Sequence, residues 1–321
     1  MARFLARRLL FAIVLIAITS SSALLLARLA PGDMTAQLGP FASRVEVQST
    51  RTRFNLDRSP MSQWWLWVGR AVRFDFGDSF LYNRPVAPLV ARAAANTALL
   101  GVLSLLMATV VGLSLGIFTG ARSGVLPTIV RGASLVCVSL PPLITSLAFV
   151  FLAARTGWLP AGGMVSATAS DPRWSTWIAD VLWHLPLPVI ALSLPMAATF
   201  ERLQSQSMAE AVHEPFVMAA IARGVPARRA LLRHAWPSSL RPICAVYGLA
   251  IGALLSGSFI VEFVTAWPGI GRLTYDALRA RDVYLVAACA ATGAGFLAIG
   301  TMTGDLLLAA ADPRVRQDQA G

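Results

Sequence analysis

Sixteen acidic residues, three histidines and three cysteines are among the side chains of this 321-residue chain suited to act as nucleophile, proton carrier or metal ligand. His184, His213 and His234 show no pairing with a nucleophile, which argues against an intramembrane hydrolase. Cys137, Cys244 and Cys289 lack the paired spacing of a metal site and fall inside or at the edge of apolar runs, so no disulfide framework is expected. Lysine is absent, and with it any glycine-lysine phosphate loop. Two acids stand out because they lie in apolar runs, where a charge costs roughly 2.5–3.5 kcal/mol on insertion scales. Glu262, between Phe259 and Trp267, either reaches an interface or has a substrate or gating role, and Asp305 reads as a partnered charge between helices.

The elements that must position these residues follow from composition. Hydrophobic residues make up 56% of the chain, charged residues 13%, and mean hydropathy is +0.64, so lipid is the expected solvent. Crossing about 30 Å of hydrocarbon takes roughly 20 helical residues. Six runs qualify, near Leu9 to Leu29, Asn96 to Gly120, Gly132 to Ala154, Leu185 to Gln204, Ile243 to Thr265 and Tyr284 to Ala309. The first follows Arg3, Arg7 and Arg8, as a signal peptide would, but runs past the usual 7 to 15 apolar residues and is expected to stay as an anchor. Ser139-Leu140-Pro141-Pro142 must interrupt the third. In the fifth, the small residues Ser256, Gly257 and Ser258 suit close helix packing or a passing substrate.

The net charge of +11 is carried by arginine, which in a membrane chain points to lipid headgroups and orientation and not to nucleic acid. With both termini in the cytosol, 13 arginines lie inside and 14 outside. Nine of the outer ones belong to the segment from Arg28 to Arg92, and segments above about 60 residues cross largely regardless of charge, which leaves 13 against five and favours this orientation. All tryptophans except Trp236 then fall at the outer side. Residues 31–94 are expected to form an extracytoplasmic helical cap with pieces near Phe41 to Phe54 and Pro60 to Phe74, separated by turns at Asn55-Leu56-Asp57 and Asp75-Phe76-Gly77-Asp78.

Between the fourth and fifth runs lies a cytosolic loop, 201–241. Glu214-Pro215, then Phe216 to Arg223, then Gly224 and Pro226, has the grammar of a short capped helix, and a second piece, Ala227 to Ala235, is expected to end before Pro237. A nine-residue helix is marginal in water. Phe216 to Ile221 is uncharged, so a partner's groove or the headgroup layer must hold it.

The run Glu214-Pro215-Phe216-Val217-Met218-Ala219-Ala220-Ile221-Ala222-Arg223-Gly224, continued to Ala235, resembles the coupling loop of ABC importer permeases of the dipeptide, oligopeptide and nickel family. The resemblance extends to Arg28-Leu29-Ala30-Pro31-Gly32-Asp33, Leu56-Asp57-Arg58-Ser59-Pro60, Val261-Glu262 with Trp267-Pro268-Gly269-Ile270-Gly271, Asp305, and Asp312-Pro313-Arg314-Val315-Arg316, nearly the whole chain. It implies an all-α membrane protein of the type I importer kind in a bacterial inner membrane, with 95–311 as a five-helix permease core and 312–321 as a cytosolic tail.

By resemblance, the partners are a second homologous permease chain, two cytosolic ATPase subunits that bind ATP and Mg, and an extracytoplasmic binding protein. This chain itself would hold no cofactor and be no enzyme. Glu210, Glu214, Phe216, Ala219, Ala220, Arg223 and Gly224 would contact the ATPase, and bulk at Ala220 or Gly224 would uncouple transport. Pro215, Met218, Ala219 and Ile221 depart from the family's acid, arginine, threonine and arginine. Either the partner cleft is apolar or Glu210, Glu214 and Arg223 carry the specificity. Outer loop 267–283, with Glu262, Trp267, Pro268 and Gly269, would close the outer gate or face the binding protein, with a passive reentrant anchor as the alternative. Ser139, Pro141, Pro142, Ser256 and Ser258 are the translocation-path candidates. Peptide and nickel transport share these signatures, and the lack of a histidine or methionine cluster along any one run favours peptide over a bare metal ion, whereas a chelated metal would not need such ligands. A passive channel would not require a capped docking helix.

Overall fold

The computed structural model describes residues 2–30, 43–54, 57–166 and 173–311. Pro31-Gly32-Asp33, Phe41, Asn55-Leu56 and the 312–321 tail lie outside the described residues. In chain order come α1 (Ala2–Leu29), α2 (Arg44–Arg53), α3 (Pro60–Ala71), a two-stranded antiparallel hairpin of β1 (Asp78–Ser79) and β2 (Arg84–Pro85), then α4 (Val86–Ala121), α5 (Val125–Ser139), α6 (Pro142–Thr156), α7 (Trp174–His184) and α8 (Pro186–Val212). The short α9 (Pro215–Ala222), α10 (Ala227–Ala230) and α11 (Trp236–Ser239) follow, then α12 (Arg241–Val264), α13 (Ile270–Arg279) and α14 (Val283–Ala311).

Among the described residues five helical stretches are long and apolar enough to cross a membrane: Ala6–Leu29, Val86–Ala121, Trp174–Val212, Arg241–Val264 and Val283–Leu306. A sixth is the pair α5 and α6, bent by 106°. The bend is local chemistry. Leu140 takes the extended conformation that a following proline favours, and Pro142 starts the next helix. Ser146 and Thr145 hydroxyls donate to the Pro142 carbonyl at 2.6 and 3.0 Å.

Two predicted boundaries move outward. Helix α4 starts at Val86 and not near Asn96, and α8 runs to Val212 and not Gln204, so 201–212 belong to a helix and not to a loop. Apolar windows end at polar residues, whereas the alanines and Arg92 ahead of Asn96 in α4, and the glutamate, glutamine, arginine and methionine after Phe200 in α8, are good helix formers. The piece from Ala227 does not stop before Pro237. A π turn over Leu231–Ala235 joins α10 to α11, with the Trp236 N–H bonded to the Leu231 carbonyl five residues back, and Pro237 then sits at a helix start, where no donor is needed.

The chain divides into two compact units that do not follow its order. One comprises residues 5–98 and 268–298. Its core is Leu24, Trp67, Val86, Val90, Ala277 and Leu285. Buried Gln63 and the Tyr284 hydroxyl both donate to the Phe54 carbonyl, at 3.4 and 3.1 Å.

The other unit comprises 1–4, 99–267 and 299 onward. Here Gly112, Gly116 and Gly120, one turn apart on α4, face α8. A Cβ would fall 2.6 Å from the Ala197 carbonyl at Gly112 and 2.5 Å from Gln204 Cβ at Gly116, and at Gly120 it would collide with the Ser205 carbonyl. Such spacing lets two backbones touch, as small residues do between membrane helices. Phe200 of α8 stacks on Tyr247 of α12 at 5.5 Å, and the Tyr247 hydroxyl lies 2.5 Å from that of Thr109.

Candidate functional site

The α9 segment has eight residues, with Arg223 as its C-cap and not its last turn. Glu214 is extended ahead of Pro215, which opens the helix without an unmet donor. At the other end Gly224 adopts φ +90°, its N–H bonds the Ile221 carbonyl at 2.9 Å, and the Val225 N–H bonds the Ala220 carbonyl at 3.1 Å. This paired closure is the Schellman motif, and it needs a glycine.

The sequence left α9 needing something outside the chain to hold it. The structure supplies a hold from within. Val217 and Ala220, three residues apart, are buried against Met208 and Ala211 of α8 and against Ala230 and Ala235, with Ile117 and Ala121 of α4 and Trp236 packed around them. The opposite face is bare: Phe216 is 47% exposed, Met218 53% and Ile221 39%. Glu210 and Glu214 are exposed near its N-terminus, and Arg223, Arg228 and Arg229 near its C-terminus. Of the predicted contact set, Glu210, Glu214, Phe216, Ala219, Arg223 and Gly224 are at the surface. Ala220 is 2% exposed, so its side chain supports the helix and presents nothing outward.

The four outer-gate candidates at and after the end of α12 separate. Glu262 and Trp267 are fully buried, Trp267 in a cluster with Leu100, Val181, Leu192, Leu254 and Val261, so neither is a surface contact. Pro268 is exposed and its carbonyl accepts from Asn96 Nδ2 at 2.8 Å. Gly269 caps α13, whose Ile270 N–H donates to Thr97 Oγ1 at 2.8 Å. Asp305 is half-buried in α14.

Among the path candidates, Ser139, Pro141 and Ser256 are exposed, Pro142 is half-buried and Ser258 is buried. The serine hydroxyls turn back on their own helices, to Leu135, Gly252 and Leu255 carbonyls at 2.9, 3.2 and 2.9 Å. Between the two serines of α12, a Cβ on Gly257 would lie 3.3 Å from Leu192 and 3.9 Å from Pro142, so the helix break, α8 and α12 meet there.

Two constellations escaped the sequence. Buried Asp282 accepts from Ser79 Oγ at 2.6 Å and from the Leu81 and Leu285 amides at 3.1 and 3.2 Å, tying the β-hairpin to the start of α14. Burial pushes its carboxyl above the ordinary aspartate value, and these donors only partly oppose that. The second joins Glu201, Thr119 and Arg131, which lie 12 to 82 residues apart. The four-residue spacing of Gly112, Gly116 and Gly120 on α4 is the signal in the sequence that could have pointed to this close packing.

Comparison with known proteins agrees with the resemblance. Residues 112–317 match the family described as binding-protein-dependent transport system inner membrane component. A putative peptide permease protein of Brucella ovis is 30% identical over 323 residues, covering 98% of this chain and 99% of its own. The oligopeptide transport system permease protein AppB of Bacillus subtilis is 28% identical over 320 residues, with 98% and 99% covered. OppB of Salmonella typhimurium, bearing the same description, is 30% identical over 320 residues, with 98% and 100% covered. With its apolar spans and its match over most of its length, the chain belongs to the binding-protein-dependent inner membrane components, as a multi-pass permease subunit of the ABC importer kind.

Proposed function

We propose that this chain forms half of the translocation path of an ATP-driven importer, passing peptides delivered by an extracytoplasmic binding protein. A second homologous permease supplies the other half, and two cytosolic ATPase subunits that bind ATP and Mg supply the drive. Both termini and α9 face the cytosol, while α2, α3 and the hairpin face outward. Peptide as cargo is supported by the relatives, which are named peptide and oligopeptide permeases.

The observation that carries the reading is α9: a helix capped at both ends, anchored by Val217 and Ala220, and bare and apolar on the face away from its anchor. A push on that face passes through the anchor to α8 and to the 227–239 segment, because packed side chains transmit displacement with little compression.

The test is peptide uptake by the assembled importer. Met218→Asp and Ile221→Asp place a charge on exposed positions, so the chain still folds, and uptake is expected to fall about tenfold or more, equivalent to roughly 1.4 kcal/mol lost at the docking contact. Ala220→Leu, by contrast, lowers the amount of folded chain, since its side chain has no outlet. Unchanged uptake in both aspartate variants would overturn the assignment of α9.

A further inference from the structure

Glu201 of α8 has no exposed surface. Its Oε1 accepts from the Thr119 hydroxyl at 2.6 Å, and its Oε2 has no hydrogen-bond partner. One turn further along the same face, Gln204 is equally buried: its Nε2 donates to Ser239 at 2.7 Å and its Oε1 has no partner. Two adjacent buried acceptors are therefore unmet, an arrangement that costs free energy unless something completes it.

The nearest cation through Thr119 is Arg131 of α5. Its guanidinium donates to the Thr119 carbonyl, one of the last four of α4 and so without a partner inside that helix. Thr119 thus stands between opposite charges, its hydroxyl on the carboxylate and its carbonyl on the guanidinium, and no ion pair joins the two. The carboxylate also sits beside the negative end of α4, where a neighbouring cation is favoured. Arg131 has five donors and uses one here, and a bond to the Glu201 carboxylate, in which both partners are charged, is stronger than its present bond to a neutral carbonyl.

What separates them is the placing of three helices. Glycine contacts hold α4 against α8, and α5 also packs on α8, while the extended Leu140 and Pro141 end α5 before α6, so a change of state that slides α5 along α8 alters the separation of Arg131 and Glu201 without needing α6 to follow as one rod. We infer that Arg131 and Glu201 form a direct ion pair in the opposite access state, Arg131 leaving the Thr119 carbonyl and meeting the spare acceptors of Glu201 and Gln204. The pair is then a positioning latch that favours one state over the other. The inference rests on the chain being an alternating-access permease.

In the importer assembled with its partner permease, ATPases and binding protein, Arg131→Gln strands the Glu201 charge whenever the latch should close. Uptake is expected to drop about tenfold or more, and adding Glu201→Gln to the same chain is expected to restore it to within about threefold of the parent. If Arg131 merely caps α4, the second substitution brings no recovery, and that result overturns the latch. A second measurement does not depend on uptake by the charge variants. With Cys137, Cys244 and Cys289 replaced by serine, Leu135→Cys on α5 and Arg202→Cys on α8, exposed positions that leave Arg131 and Glu201 in place, are bridged with a short bifunctional thiol reagent. The yield is expected to differ about threefold or more between nucleotide-free and vanadate-trapped importer, the scale of a modest population shift. Equal yields, with uptake intact in the parent importer, overturn the latch and leave the permease reading standing. Absence of uptake in the parent would overturn that reading, and the latch with it.

Discussion

At the scale of single residues, burial decides roles that residue type alone leaves open. Asp282 receives hydrogen bonds from Ser79, Phe80, Leu81 and Leu285, all of which favour its charged form, yet desolvation prevails and the carboxyl holds its proton to higher pH than usual. The sign follows from linkage: a carboxyl whose folded value lies above the unfolded 3.8 stabilises the docked hairpin most below 3.8, and that contribution is lost as pH rises through the raised value. Hydrogen exchange at the Leu81 and Leu285 amides, corrected for intrinsic rate, should therefore show protection that falls as pH rises across that window. Asp282→Asn should flatten the dependence, and an unchanged profile in that variant would assign it elsewhere. Tyr82, also held up by burial and by nearby Asp276, titrates far above this range and does not interfere.

At the scale of elements, backbone approach and termination matter more than amphipathic pattern. Helix α4 meets α8 along Gly112, Gly116 and Gly120, while Gly101 on the same helix has no atom within 4 Å of a prospective Cβ. The two kinds of glycine should respond oppositely to alanine. Gly116→Ala forces the helices apart and should cost about 1–3 kcal/mol or more, as overpacking does. Gly101→Ala should be neutral or stabilise by up to about 1 kcal/mol through helix propensity. Thermal unfolding of the purified chain in detergent reads both, and equal behaviour would contradict the close crossing. The same principle governs α9, where Gly224 has open space around it but a positive φ, so its constraint is conformational and not steric.

At the scale of the whole molecule, the two compact units are each assembled from distant stretches, which a reading in chain order cannot anticipate. Orientation is testable at this scale. In cysteine-free chain, Val72→Cys after α3 and Met218→Cys on α9 are both well exposed. Intact cells should admit a membrane-impermeant thiol label at residue 72 and exclude it at 218 until the membrane is opened. Labelling of both from the same side would reverse the topology proposed above.

The sequence by itself determined the membrane class, the number of apolar runs, the break at Leu140-Pro141-Pro142 and the caps of α9, because apolar length and proline and glycine conformations act locally. Its family resemblance was equally legible, since motifs survive in linear order. Tertiary structure alone decided which face of α9 is bare, that Ala220 and Trp267 are core, and that Glu201, Thr119 and Arg131 share one network. Those facts depend on contacts between residues far apart in the chain, where packing of one helix on another, and not local propensity, determines what is buried and what remains free to bind.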